Sequence, residues 1–324
     1  MKIVTPISMD DVRSARERIA PYLPPSALRE YAELNEFVGA GIRVLVKHEN
    51  QLPTNAFKVR NGMAAVTALR PSDRSRGVVC GTRGNHGLGV AYAGRELGVP
   101  VTVVVPYGNN PEKNSAMRGL GARVMECGAN YDEAVAESER LAREEGMILV
   151  HSTNNRDVIA GAATLTLEIL EQASDLDAMV IAVGGGSQAV GAITVLQSLR
   201  PAVSVYAVQA AGAPTIYESW QAGKPVEPTP PMTIADGVAT GDIYELTFPT
   251  LRDGLTGFVL ATEDEIIEAT RAMTRCTHNL TEPAGAVGLA GLRKLRADLD
   301  GKMVCVILSG GNADEATLKR LWSN

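Results

Sequence analysis

Residues Ala178–Leu199 read Ala-Met-Val-Ile-Ala-Val-Gly-Gly-Gly-Ser-Gln-Ala-Val-Gly-Ala-Ile-Thr-Val-Leu-Gln-Ser-Leu. Ala178 to Val183 is an unbroken apolar run, as in a strand covered on both faces. Val190 to Leu199 places its apolar residues at helical spacing. Between them stand Gly184, Gly185 and Gly186. Strand, glycine cluster, helix is the repeating unit of a parallel α/β sheet. The free N–H groups at such a helix start attract anions. No Lys-Ser/Thr pair follows the glycines, so this is not a nucleoside-triphosphate loop. A bare structural turn is the alternative reading.

The same alternation runs outward in both directions. Strand-like runs are Ile42–Val46, Val99–Pro106, Ala122–Cys127, Ile148–His151, Val203–Gln209 and Met303–Leu308. Helical spacing marks Lys58–Leu69, Leu88–Leu97, Pro111–Leu120, Tyr131–Glu145, Val158–Ala173, Glu263–Thr277 and Glu282–Leu295. Sequential βα units mean parallel sheets with helices on both faces. The expected fold is α/β with two parallel-sheet domains. Residues 67–149 form a compact small domain, mobile against a discontinuous large domain of residues 1–66 and 150–324. The Pro-rich stretch Gly223–Pro231 is a surface loop, because βα units resume after it.

Length and composition agree. A chain of 324 residues fits two domains. Its formal net charge of −6 and its lack of a basic run exclude a nucleic-acid backbone as a partner. No apolar run is long enough to span a bilayer, and the first residues lack the apolar core of a signal peptide. Cys80, Cys127, Cys276 and Cys305 have no metal-type spacing and read as reduced thiols of a cytoplasmic protein.

Further loops carry chemistry. Pro53-Thr54-Asn55-Ala56-Phe57-Lys58-Val59-Arg60 puts Lys58 at a helix start. There the helix dipole disfavours a cation and lowers the amine's pKa, as a Schiff-base lysine needs. On this segment alone an ordinary surface lysine is the alternative. Gly81-Thr82-Arg83-Gly84-Asn85-His86-Gly87-Leu88-Gly89 follows an apolar run and opens a helix, without the dinucleotide spacing. Leu308-Ser309-Gly310-Gly311-Asn312 ends the last strand, where ligands gather in open α/β sheets.

Taken together these segments resemble the fold-type II pyridoxal-phosphate enzymes (tryptophan synthase β-like), in the serine/threonine dehydratase and serine racemase group. The likeness rests on the P-T-x-x-F-K-x-R segment, the G-N-H-G loop, Val158–Gly161, Gly184–Gly186, Ala235–Ala239, Glu282–Ala286 and Ser309–Asn312, all in the same order. It implies pyridoxal 5′-phosphate in a cleft between the domains, carried by Lys58. Phe57 would flank the ring and Asn85 would bond its 3′-hydroxyl. Gly184, Gly185, Gly186, Ser187 and Gln188 would cradle the phosphate, and Ser309 would face the pyridine nitrogen. Thr54, Arg83, Gly84 and His86 would meet the substrate, with Lys58 and Arg83 the catalytic-site side chains. The implied reaction is α,β-elimination: a β-hydroxy amino acid such as threonine, serine or phenylserine loses water and ammonia and leaves a 2-oxo acid. A homodimer is implied. A β-replacement synthase and a catalytically silent ligand sensor are the alternatives.

The chain departs from that group in places. Arg83 stands where the racemases have a serine, and a guanidinium shuttles no proton; racemisation is therefore not expected. Gln209 and Thr215 stand where relatives have acidic ligands for Mg²⁺ or Ca²⁺, so no metal is expected there. Ala56 replaces a serine. The chain ends shortly after Asn312, so an appended regulatory domain is not expected.

Overall fold

The computed structural model describes residues 3–323. Ten strands appear in order: β1 (Leu28–Glu30), β2 (Arg43–His48), β3 (Val78–Gly81), β4 (Val101–Val105), β5 (Arg123–Glu126), β6 (Ile148–Leu149), β7 (Ala178–Ala182), β8 (Ser204–Ala210), β9 (Gly257–Ala261) and β10 (Met303–Leu308). They make a six-stranded sheet, β1-β2-β10-β7-β8-β9, and a four-stranded sheet, β5-β4-β3-β6. Every pairing is parallel except β1 with β2. The last strand is central: β10 pairs with β2 on one side and β7 on the other. The four-stranded sheet is built wholly from the middle of the chain.

Several elements differ in extent from the sequence reading. The helices after the two glycine loops begin at Asn85 and Ser187, three residues earlier than Leu88 and Val190. The glycine turns lead straight into helix, with no intervening coil. β2 extends through Lys47 and His48 because both are buried there in hydrogen bonds. β1 and β9, both sheet edges, and the helix Met9–Ile19 are additions to the sequence reading. Edge strands alternate weakly, since only part of each is covered; β1 leaves Arg29 and Glu30 exposed.

The helix Lys58–Thr67 lies against two others at backbone distance. A Cβ on Gly62 would sit 2.4 Å from the carbonyl of Gly89, and one on Gly89 would sit 2.4 Å from the Lys58 oxygen. On another side, a Cβ on Gly161 would lie 2.5 Å from the Arg60 oxygen. No side chain larger than hydrogen fits at these crossings. The helix is thus gripped between Asn85–Leu97 and Arg156–Gln172.

Its second anchor is ionic. Arg60 is 1% exposed and donates to both oxygens of Glu49 (2.7 and 2.9 Å) and of Glu168 (2.7 and 2.8 Å). Lys47, fully buried, donates to Glu168 (2.9 Å), the Ser26 carbonyl and Gln172. Two cations and two carboxylates leave the cluster neutral, and each carboxylate has several donors. Glu168 stays below the usual carboxylate range because Arg60 and Lys47 outweigh its burial. Replacing Arg60 by Met strands two buried carboxylates on one lysine. We expect Arg60→Met to lose about 3–5 kcal/mol, read as a lower urea midpoint at unchanged slope. A shift of a few tenths would show that the cluster does not stabilise the fold.

Candidate active site

The carboxyl ends of β2, β3, β7 and β10 open onto one cleft. Three helices start there: Lys58–Thr67, Asn85–Leu97 and Ser187–Leu199, and none has a side-chain cap. Elsewhere Ser8, Asn110, Asn130, Asn155, Thr262 and Asp314 cap helices with side-chain oxygens. The cleft therefore collects free N–H groups and the positive ends of three dipoles, a setting for anions.

The lysine segment is tied to the end of β10. Phe57 N–H donates to the Ser309 carbonyl (2.9 Å), Gly311 N–H to the Asn55 carbonyl (2.9 Å), and Asn312 Nδ2 to the Thr54 carbonyl (2.8 Å). Lys58 points into the cleft, its Nζ donating to the Ser152 carbonyl at 3.2 Å. No carboxylate pairs with it, and burial lowers its pKa to about 8. A fraction of the amine is therefore neutral near physiological pH.

Two neighbours fix Asn85. Its Nδ2 donates to Glu282 (2.6 Å) and its Oδ1 accepts from Asn312 (2.8 Å), leaving one N–H for a ligand oxygen. Glu282 is buried and its pKa is raised by that burial. The Ser309 hydroxyl is in the cleft with one long bond, 3.4 Å, to the Ala284 carbonyl.

The loop Gly184–Gly186 forms the cradle. Gly186 has φ +94°, which favours glycine. A Cβ on Gly185 would strike the Thr153 hydroxyl at 2.3 Å, and one on Gly184 would lie 3.0 Å from Val238 Cα. Gln188, 5% exposed, leaves its Nε2 without a partner. Uncapped N–H groups, a glycine-only hollow and an orphan amide fit a phosphate. With a depressed lysine and with Phe57 and Asn85 lining the same cleft, the residues fit pyridoxal phosphate.

Phe57, Lys58, Arg83, Gly84, Asn85, His86, Gly184, Gly185, Gly186, Ser187, Gln188 and Ser309 all line the cleft. Thr54 is not among them: its side chain is buried, its hydroxyl without a partner among the described residues. Arg83 pairs with Asp236 across the cleft at 3.2 Å, with Lys113 at 3.9 Å from the same carboxylate. His86 Nε2 donates to the Val150 carbonyl (2.8 Å). Burial and the nearby Lys58 charge lower His86 to about 3, so it is neutral, with Nδ1 a bare acceptor. Gln209 and Thr215 are buried, and their side-chain oxygens accept from the backbone N–H of Tyr217 and Thr229. Among the described residues no group of three or more His, Cys, Asp or Glu gathers as a metal site.

Sequence reasoning missed Tyr131, Ser152, Thr153, Thr240 and Tyr244, which also line the cleft. Asp236 and Glu282 lay within quoted motifs without a role. Tyr131 begins a helix with no glycine pattern, and Tyr244 sits in an irregular loop, so neither carried a local signal.

Comparison with known proteins agrees with this geometry. A family model described as pyridoxal-phosphate dependent enzyme matches residues 19–310. The chain is 39% identical over 279 residues to L-threonine ammonia-lyase of Geobacter sulfurreducens, covering 86% of this chain and 69% of that one. It is 34% identical over 325 residues to serine racemase of Dictyostelium discoideum, covering 99% of each. A crystal structure of T.th. threonine deaminase superposes with a TM-score of 0.89 at 34% identity, covering 95% of this chain and 99% of that one.

The depressed lysine has a direct test. In cofactor-free protein the rate at which an aldehyde combines with Lys58 tracks the neutral amine. It should climb with pH and level off above about 8, whereas an ordinary lysine keeps climbing to about 10.4. Lys58→Ala should lose this phase entirely. The same profile in wild type and Lys58→Ala would place the reactive amine elsewhere.

Proposed function

We propose, on the premise that this chain belongs to the pyridoxal-phosphate dependent enzymes, that it eliminates water from a β-hydroxy amino acid and, as water adds back on hydrolysis, releases a 2-oxo acid and ammonia. The observation that carries this reading is Lys58: an unpaired amine with a lowered pKa, beside a phosphate-sized glycine cradle at the meeting of three helix starts. The likeness to L-threonine ammonia-lyase and threonine deaminase supports the reaction class.

Gly184, Gly185, Gly186, Ser187 and Gln188 would hold the phosphate, Phe57 would flank the ring, Asn85 would bond the 3′ oxygen and Ser309 would face the ring nitrogen. Pyridoxal phosphate, when bound, supplies a carbonyl for the substrate amine and an electron-withdrawing ring. A hydroxyl at Ser309 cannot hold the nitrogen charged as a carboxylate would, which favours elimination over transamination. Lys58 takes the α-proton at Nζ; a pKa near the working pH suits it to accept and return that proton. The uncapped N–H groups of Asn85 and His86 receive the substrate carboxylate. Arg83, held by Asp236, shapes the wall above them.

Residues 67–149 act as a small domain that closes on residues 1–66 and 150–324; the four-stranded sheet within that range and the Arg83–Asp236 pair across the cleft support this division. The reading includes a cytoplasmic homodimer. Four free cysteines support the compartment, and the homodimer rests on the resemblance.

Serine and threonine should each yield 2-oxo acid and ammonia in equal amounts with the loaded enzyme. Exhaustive chelation should leave the rate unchanged, because Gln209 and Thr215 already accept backbone protons. No 2-oxo acid from any β-hydroxy amino acid would overturn the function. A chelator loss restored by Mg²⁺ would overturn the metal statement.

Racemisation should be slow. It needs a proton donor on the ring face opposite Lys58, where Arg83 shuttles none. Neutral His86 spends its one N–H on Val150. Missing such a donor costs roughly 10²–10⁴-fold. Chiral analysis of unreacted substrate in D₂O should therefore show 2-oxo acid forming at least ~100-fold faster than the opposite enantiomer; comparable rates would refute this.

A further inference from the structure

The elimination proposed above leaves the size of the substrate's side chain open, and the far wall of the cleft bears on it. Lys58 Nζ, the group proposed to take the α-proton, donates to the Ser152 carbonyl at 3.2 Å. The hydroxyl of the same Ser152 meets the Tyr131 hydroxyl at 2.9 Å. Tyr131 and Tyr244 face each other through their hydroxyls, and Tyr244 also meets the Thr240 hydroxyl at 3.3 Å. Beyond Ser152 the cleft is thus lined by two phenol rings, Tyr131 at the start of the helix Tyr131–Glu144 and Tyr244 in the loop before the helix Phe248–Gly254.

That wall is held in place. Tyr244 is 8% exposed, and its ring packs edge-on against His151 with centroids 5.3 Å apart. His151 cannot turn, because its Nδ1 accepts from the backbone N–H groups of Thr153 (3.0 Å) and Asn154 (2.8 Å). The Tyr244 carbonyl accepts from Phe248 N–H (2.9 Å), which fixes the backbone at a helix start. Asn154 in turn holds Leu246 N–H. Packed, hydrogen-bonded walls of this kind do not yield to an added ring.

We propose that Tyr131 and Tyr244 are the specificity-determining residues of this site. Their rings cap the β-carbon and admit a hydroxyl with a hydrogen or a methyl group, while an aromatic β-substituent is shut out. Their hydroxyls and that of Thr240 meet the β-hydroxyl, which an apolar wall would leave unpaired.

The inference rests on the elimination reading, and one experiment separates the two. Holoenzyme of the wild type, Tyr244→Ala, Tyr131→Ala and Tyr244→Phe is assayed for kcat/KM with threonine and with 3-phenylserine, cofactor content being checked by absorbance. Wild type should favour threonine by ~100-fold or more. Each alanine variant should narrow that ratio by about tenfold or more, through faster turnover of phenylserine. Tyr244→Phe should keep it, since the ring remains. A wild-type ratio within about tenfold, or a ratio unchanged in cofactor-loaded alanine variants, overturns the proposal while leaving the elimination intact. The wild-type ratio decides the matter should an alanine variant fail to fold. Silence with every substrate removes the reaction itself, and this inference with it.

Discussion

Arg60 donates to all four oxygens of two buried carboxylates, and the position of Lys58, two residues earlier on the same helix, follows from that clamp. Glu49 follows β2, and Glu168 belongs to the long helix Arg156–Gln172. The guanidinium therefore joins the sheet, the lysine helix and its neighbour at one point. A planar fork with fixed donor directions sets the rotation of the helix as well as its place, which an aliphatic contact would not do. Lys47 completes the charge balance from the strand itself. Buried ion pairs are not in themselves a gain over apolar packing. Here the cluster specifies which way Lys58 faces.

The cleft then works by leaving things unpaired. Three helix starts lack the caps that the chain supplies at many of its other helices. Lys58 lacks a carboxylate, and the Gln188 amide lacks an acceptor. Each omission costs stability and each suits an anionic ligand with a reactive carbonyl. The residues that could disturb proton traffic are neutralised: Arg83 by Asp236, and His86 by burial and the Val150 carbonyl.

What the sequence displays and what it hides divide along a physical line. Glycine loops and apolar strands are local patterns, so the Gly184–Gly186 cradle and the βα alternation can be read directly, whereas Lys58, Asn85 and Ser309 acquire roles only through the resemblance carried by the ordered set of motifs. Contacts between distant segments leave no local trace. Arg60 is visible only as a letter in a motif; Lys47 and Glu49 stand near it in the chain, but Glu168, which accepts from both Lys47 and Arg60, lies more than a hundred residues on. Tyr131 and Tyr244 meet only once the two sheets face each other. The resemblance gives Thr54 to the substrate, yet its side chain is buried and is not among those lining the cleft. β1 and β9 escape because edge strands are short and mixed in character.

The crossing of Gly62 and Gly89 has a mechanical consequence. Two backbones in contact at hydrogen-only distance resist sliding, since any step along the axis drives a neighbouring side chain into the opposite helix. They do not resist turning about the point of contact. Under the two-domain division proposed above, the crossing is the point about which the lysine helix and the helix that follows β3 can turn. Rotation there moves nearby atoms little and distant ones much, as on a lever. Lys58 and Asn85, each a turn away from the contact, keep their relation. A single pair of glycines thus holds the two residues in register through any such turn.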